Sequence, residues 1–253
     1  MPQDKADTPE MFSEIAHRYD LLNHVLSLNI DRLWRKALVR SAEASGCDRI
    51  LDAATGTADV AIAFANALPD CRVVGIDRSR RMLAVGNEKI LRRRLEGRVQ
   101  LREGDVMRLP FRDEEFDVVS IAFGLRNLPD YSNGVSEMTR VLKPGGRLLI
   151  LEFSPPSRGL YSRVYGFYLR RIIPIVGGIV SGSRAGYRYL ASSIGEFPTR
   201  DEVVALMRSA HLDDVGAKKL TGGIAYIYRG RRAETVVGAE RKNVPGRLPG
   251  TCG

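Results

Sequence analysis

The chain has 253 residues, 44% hydrophobic and 27% charged, enough for one substantial domain with additions that buries a core without disulfides or metal. Its three cysteines, Cys47, Cys71 and Cys252, lie far apart with no metal-ligand spacing, which argues against a zinc site or a disulfide framework and suits a reducing cytoplasm. The net charge of +9 raises nucleic acid or anionic lipid as partners, but part of it sits in a Gly- and Pro-rich end, read as a solvated, disordered basic tail over 231–253.

Residues 1–45 read as a helical lid. The start is polar and acidic rather than basic and then apolar, so an export signal is not expected. Phe12, Ile15, Tyr19, Leu22 and Leu26 recur at helical spacing, and a second helix carries Leu33, Trp34, Ala37 and Leu38. From 46 to 230 short β-branched runs alternate with helical patterns, with strands expected at 49–54, 72–77, 99–105, 116–123 and 147–154. Continuous apolar runs such as Val118-Val-Ser-Ile-Ala-Phe123 suit strands covered on both faces, hence a mostly parallel, Rossmann-like α/β sheet with helices either side. A helical insert is expected over 155–198; its apolar run, 172–180, is well short of the roughly twenty residues that span a bilayer. Thr199-Arg-Asp-Glu202 is a capping box, and runs at 215–220 and 224–229 around Thr221-Gly-Gly223 signal an antiparallel C-terminal pair, giving seven strands in all.

The turn after the first strand, from Asp52 through Gly56, Thr57 and Ala58, lets a ligand approach the backbone where a helix begins. It lacks the G-x-G-x-x-G run of dinucleotide sites, so a cofactor without a pyrophosphate, S-adenosylmethionine, fits it better, with Asp52 near the amino-acid end. Asp77, ending the second strand, is placed for ribose hydroxyls. Asp105, ending the third, is placed for an adenine amino group with Val106 over the ring; capping of a local turn is the plainer alternative for Asp105.

Beyond the fourth strand stand Arg126 and Asn127, at a strand tip where α/β enzymes keep their chemistry. Arg126 is too basic to accept a proton but suits stabilising an anion; a structural ion pair is its plainer reading, as a simple turn residue is for Asn127. His17, His24 and His211 form no constellation for a general base.

Tyr19-Asp-Leu-Leu-Asn23, Arg32-Leu-Trp34, Leu109-Pro-Phe111, Phe123-Gly-Leu-Arg-Asn127, Arg140-Val-Leu-Lys-Pro-Gly-Gly-Arg147, Leu151-Glu-Phe-Ser154 and Tyr187-Arg-Tyr-Leu-Ala191 together resemble the class I S-adenosylmethionine-dependent methyltransferases that C-methylate quinone precursors. The resemblance spans about residues 12–230. It implies methyl transfer to a ring carbon of a prenylated quinol, demethylmenaquinol first, with the equivalent benzoquinol of the ubiquinone pathway, or both, left open. It implies cofactor contacts at Thr57, Asp77, Asp105 and Val106. The chemistry of the transfer makes Arg126 the candidate catalytic cation of an acceptor site with Asn127 beside it, and Tyr19 and Asn23, with Trp34, candidates for a lid over the substrate ring, ordinary helix packing being the alternative for Trp34. Two departures stand out: Ala122 where the family often has Ser, and Ala58 where it commonly has Gly, the extra methyl fitting if φ is negative. A membrane-dissolved substrate implies a cytoplasmic enzyme peripheral to the membrane's inner face, with the insert as apolar entrance, and a homo-oligomer is left open. A nucleic-acid methyltransferase is disfavoured, lacking an Asn/Asp-Pro-Pro-Tyr motif after the fourth strand, and a non-catalytic cofactor-binding regulator would share the fold.

Overall fold

The computed structural model describes residues 30–44, 48–154 and 193–234. The expectations for Tyr19 and Asn23, for most of the insert and for the tail beyond 234 lie outside the described residues. Seven strands, β1 (Arg49–Ala53), β2 (Arg72–Asp77), β3 (Val99–Glu103), β4 (Phe116–Ala122), β5 (Leu142–Phe153), β6 (Leu212–Leu220) and β7 (Ala225–Arg232), form one sheet in the order β3-β2-β1-β4-β5-β7-β6. The first five run parallel, and β7 is antiparallel to both β5 and β6. The chain moves outward from β1 to β3 and then returns to β4 beside β1, which opens a crevice at the tips of β1 and β4, the topological switch point where such sheets bind ligands.

Alternation along the central strands builds two cores. Leu149, Leu151 and Phe153 of β5 face α1 (Asp31–Ser41), α2 (Asp59–Ala67) and α3 (Arg80–Arg92), packing with Trp34, Leu38, Phe64 and Ile90. Leu148 and Ile150 face α4 (Tyr131–Arg140) and α5 (Arg200–Ser209), packing with Val135, Met138, Val203 and Met207. This two-sided burial is why the strand sequences read as continuous apolar runs.

The helices start where local chemistry satisfies their free N-H groups. Ser79 and Asp130 cap α3 and α4, and the Thr199 capping box on α5 forms as expected, Glu202 accepting from the Thr199 amide at 2.7 Å. Two boundaries differ from the sequence reading. β5 begins at Leu142, pairing with Phe116 before a register shift that loops out the Pro-Gly-Gly turn and resumes at Val118 opposite Arg147. β7 runs to Arg232, whose guanidinium donates to the carbonyls of Arg140 and Leu142.

Candidate functional site

The cofactor loop leaves β1 at Asp52, which is 1% exposed. Asp52 is register partner to Ser120 on β4, so both side chains point to the α1/α2 face. Its two oxygens accept from Ser120 Oγ at 2.8 Å and Thr55 Oγ1 at 2.6 Å. Burial pushes the Asp52 carboxyl up to about 6, against the lowering effect of those hydroxyls and of Arg35.

The loop's backbone is twisted around this group. Ala54 (φ 51°), Gly56 (φ 55°) and Ala58 (φ 67°) are all left-handed, and so is Phe123 (φ 56°) at the tip of β4. The condition set for the Ala58 methyl, a negative φ, is therefore not met: the residue holds a conformation that favours glycine, at a cost of about 1 kcal/mol. The methyl has room because its neighbour on α3 is Gly86, where a Cβ would stand 3.2 Å from the Ala58 Cβ. At Gly124 the two tips come so close that any side chain would meet the Ala54 Cβ at 2.8 Å. Strained non-glycine residues gathered at one point mark a place the surrounding structure over-determines.

Ala54, Gly56, Thr57, Ala122 and Phe123 line the crevice together with Asp52 and, from α1, Arg35. Arg35 donates to Asp31 and lies 3.3 Å from Asp59. Lys89 bridges Thr57 Oγ1 and Asp59, each at 2.8 Å. Thr57, expected at the cofactor, is thus tied to α3 as well as to the loop. Arg35, Asp59, Lys89 and Ser120 were not singled out from sequence; the Asp31 to Arg35 spacing of four within a helix was the one local signal available.

Asp77 ends β2 and spans the loop, accepting from the Gly56 amide and the Ser79 amide, both at 2.9 Å. Burial raises its carboxyl above the usual range, opposed by those amides. The Arg78 amide also bonds it, and because a carboxylate has about four acceptor positions, capacity for a further donor remains. Asp105 lies two residues beyond β3, in a tight turn bridged to Arg108, where it caps the Met107 amide at 2.9 Å and faces Arg78 at 3.8 Å. Both readings of Asp105 are compatible with this placement, since its side chain is 40% exposed. Val106 beside it is buried. Arg140 holds this segment from below through the Leu109 and Phe111 carbonyls, while Glu137 accepts from the Leu109 amide; Arg140 keeps the Glu137 carboxyl low. The Arg140 motif is therefore scaffolding for the Asp105 turn.

Arg126 occupies the one-turn 3-10 helix Leu125–Asn127, and the plainer reading of it is met: the guanidinium is 2% exposed and paired with Glu152, itself fully buried on β5, at 2.7 Å. It also donates to the Phe123 carbonyl at 2.6 Å and lies over the Phe153 ring. The Arg126 amide donates to the second Glu152 oxygen at 3.2 Å. Glu152, in a motif the sequence displayed without a role, closes the turn from both ends. Asn127 follows it half-buried, its amide bonded to the Gly124 carbonyl. Trp34 belongs to the core, not to a lid over a ring: at 3% exposure it packs edge-on against Phe153 and near Phe123, and its indole N-H donates to Thr221 Oγ1 at 2.8 Å.

The strand order, the phosphate-free loop after β1, the acid at the tip of β2 and the polar turn beyond β4 define a Rossmann-like class I methyltransferase, which takes its methyl group from S-adenosylmethionine. The chain belongs to the ubiE/COQ5 methyltransferase family, whose model matches residues 2–232. It is 46% identical over 224 residues to the ubiquinone/menaquinone biosynthesis C-methyltransferase UbiE of Geobacter sulfurreducens, covering 88% of this chain and 87% of that one. It is 46% identical over 222 residues to the demethylmenaquinone methyltransferase of Thermus thermophilus, covering 88% and 100%. Among solved structures, a SAM-dependent methyltransferase of Thermotoga maritima, titled a possible histamine N-methyltransferase, superposes with a TM-score of 0.61 at 19% identity, over 88% of this chain and 98% of that one. That likeness speaks to the fold alone.

Proposed function

We propose that this enzyme methylates a ring carbon of a prenylated quinol, demethylmenaquinol first, as a step of menaquinone biosynthesis. The observation that carries the reading is similarity along nearly the whole length to relatives named for that reaction, since the fold alone serves many unrelated substrates. The benzoquinol of the ubiquinone pathway is the second reading, favoured by the double name of the Geobacter relative.

Only about 30 Å³ of the crevice is enclosed, about the share of one water, so a ligand would lie in its open mouth. That mouth suits the amino-acid end, with Asp52 toward the ammonium, Arg35 toward the carboxylate, and Gly56 and Thr57 giving close backbone approach. The adenosine then lies along the open strand tips, the ribose on the spare acceptor capacity of Asp77 and the adenine between Asp105 and Val106. S-adenosylmethionine supplies an already electrophilic methyl group, so the protein's task is alignment, exclusion of water and help in forming a nucleophilic ring.

A quinol ring carbon becomes nucleophilic when an adjacent hydroxyl, with a pKa near 10, loses its proton. A guanidinium already balanced by Glu152 lowers that pKa less than a lone cation would. We therefore assign Arg126 chiefly to positioning: with Glu152 it fixes the turn that presents Asn127, whose amide is suited to hold the quinol oxygen. Once the ring carbon had taken the methyl group and the cofactor had left as a neutral thioether, the proton on that carbon would pass to water, restoring aromaticity.

The test is incubation with labelled S-adenosylmethionine and each demethylated quinol, followed by mass spectrometry of the lipid. A labelled methyl on the naphthoquinol ring carbon is expected. Labelled benzoquinol alone would move the assignment to the second reading, and cofactor binding without label on either ring would refute quinol methylation.

A further inference from the structure

A groove of about 740 Å³ runs between α1 and α2 and is closed along one side by α3. It begins at Asp59 and Lys89, beside the cofactor loop. Six cations line it against one acid, Asp59. Arg35 and Lys89 face that acid, whereas Arg32, Lys36, Arg40 and Arg93 have no carboxylate partner among the described residues.

The two large apolar side chains that stand exposed among the described residues, Leu33 and Leu91, each 63% exposed, rise from the helices that rim this groove. On α1, Leu33, Lys36 and Arg40 follow one another at three- and four-residue steps, which puts an apolar tip and two cations on one face. On α3, Leu91 lies two residues from Lys89, a spacing that turns it to the far side of that helix, so Leu33 is the exposed leucine that shares a face with the groove's cations. Cations beside a protruding leucine match an anionic bilayer, where phosphates meet the charges and the leucine enters the boundary below the headgroups. Nucleic acid would meet the same charge, but among the described residues no aromatic side chain lines the groove to stack a base, and an exposed leucine gains nothing there.

We propose that the α1/α2 groove and the neighbouring Leu33 dock the enzyme on an anionic phospholipid surface, bringing the mouth of the cofactor loop to the membrane. The purpose of the docking rests on the prenylated-quinol reading, since that substrate is dissolved in the bilayer; the binding itself does not.

The test compares the full chain with a K36Q/R40Q/R93Q variant, all three residues being exposed and outside the crevice. Both are cosedimented with phosphatidylcholine vesicles with and without phosphatidylglycerol. Each charge removed should lower partitioning about fivefold, so the triple variant should lose about a hundredfold on the anionic vesicles. L33Q should weaken binding to the same vesicles without changing its salt dependence. Equal binding of wild type and triple variant to anionic vesicles overturns the proposal, as does equal wild-type binding to both vesicle types. Loss of oligonucleotide binding with vesicle binding intact also overturns it, in favour of nucleic acid. A short-tailed quinol in detergent-free buffer separates this from the functional reading: turnover of that soluble substrate should be unchanged in both variants. Vesicle binding as expected with no wild-type turnover of it would sink the quinol reading and leave the docking surface standing.

Discussion

Replacing Asp52 by Asn keeps the shape of the side chain at the tip of β1 and removes its charge. The carboxyl is raised from 3.8 to about 6, chiefly because it is buried, and the sign of the effect on stability follows. Below about pH 4 both folded and unfolded chains hold the proton, so the group contributes nothing to pH dependence. Between about 4 and 6 the unfolded chain ionises first, the folded state binds more protons, and stability falls as the pH rises. Above about 6 the whole cost is present, on the order of 3 kcal/mol. Asn never ionises and escapes that cost. Its amide group needs an acceptor, which Thr55 or Ser120 supplies by rotating a hydroxyl, and an imperfect fit there takes back about 1 kcal/mol. The net expectation is a variant more stable than wild type by about 2 kcal/mol at about pH 8 and less stable by about 1 kcal/mol near pH 4, read by urea unfolding at both. Cofactor affinity should move the other way, falling at least about tenfold by calorimetric titration, because a charge-assisted contact to the ammonium is lost. A variant less stable than wild type at the higher pH, or a wild type whose stability does not fall across that window, would refute the reasoning.

Glu152→Gln leaves the Arg126 guanidinium buried without a counter-charge and should cost about 3–5 kcal/mol in urea unfolding, whereas the double change R126M/E152M should restore most of that stability. Cofactor affinity in the double variant should stay within a few-fold while turnover falls; retained turnover would show that the pair contributes nothing the chemistry needs. Ala58→Gly relieves about 1–2 kcal/mol of left-handed strain but loses a buried methyl worth about 0.8 kcal/mol and adds unfolded-state freedom worth about 0.5–1 kcal/mol, so its stability should match wild type within about 1 kcal/mol by thermal melting. Trp34→Phe removes the indole bond to Thr221 that pins α1 to the β6–β7 turn and should cost about 1–2 kcal/mol in the same melts.

The sheet was legible because its strands are buried on both faces: Val118 and Val119 pack into opposite cores, and no other arrangement gives so unbroken an apolar run. The β6–β7 pair was legible from its Gly-Gly turn, and α5 from a capping box whose two bonds are local. What the sequence did not display are contacts between residues far apart in the chain. Asp52 meets Ser120 across two strands 68 positions apart, Arg126 meets Glu152 across 26, and Trp34 reaches Thr221 across 187. Exposure on a polar face and burial in a polar pair look alike in a linear pattern, so a catalytic cation and an ion pair both stayed open for Arg126, as did a lid and helix packing for Trp34. The left-handed turn at Ala58 was hidden for a different reason. Alanine, unlike glycine, does not announce a positive φ, and the glycine that makes room for it lies on another helix.

The placement of strain and charge at the β1 and β4 tips has one physical consequence. Ala54, Ala58 and Phe123 each hold a conformation costing about 1 kcal/mol or more, and each is fixed by a bond that does not depend on a ligand: the loop by Asp77 at the Gly56 amide, the β4 tip by Arg126 at the Phe123 carbonyl. A loop already bent to its bound shape loses little freedom when the cofactor arrives, so the cost of ordering it is met during folding rather than during binding. The same holds for Asp52, whose carboxylate is aimed by two hydroxyls before any ammonium is present. Stability withheld at this corner of the sheet is returned as preorganisation, which is why the Asn variant is expected to gain in folding what it loses in cofactor affinity.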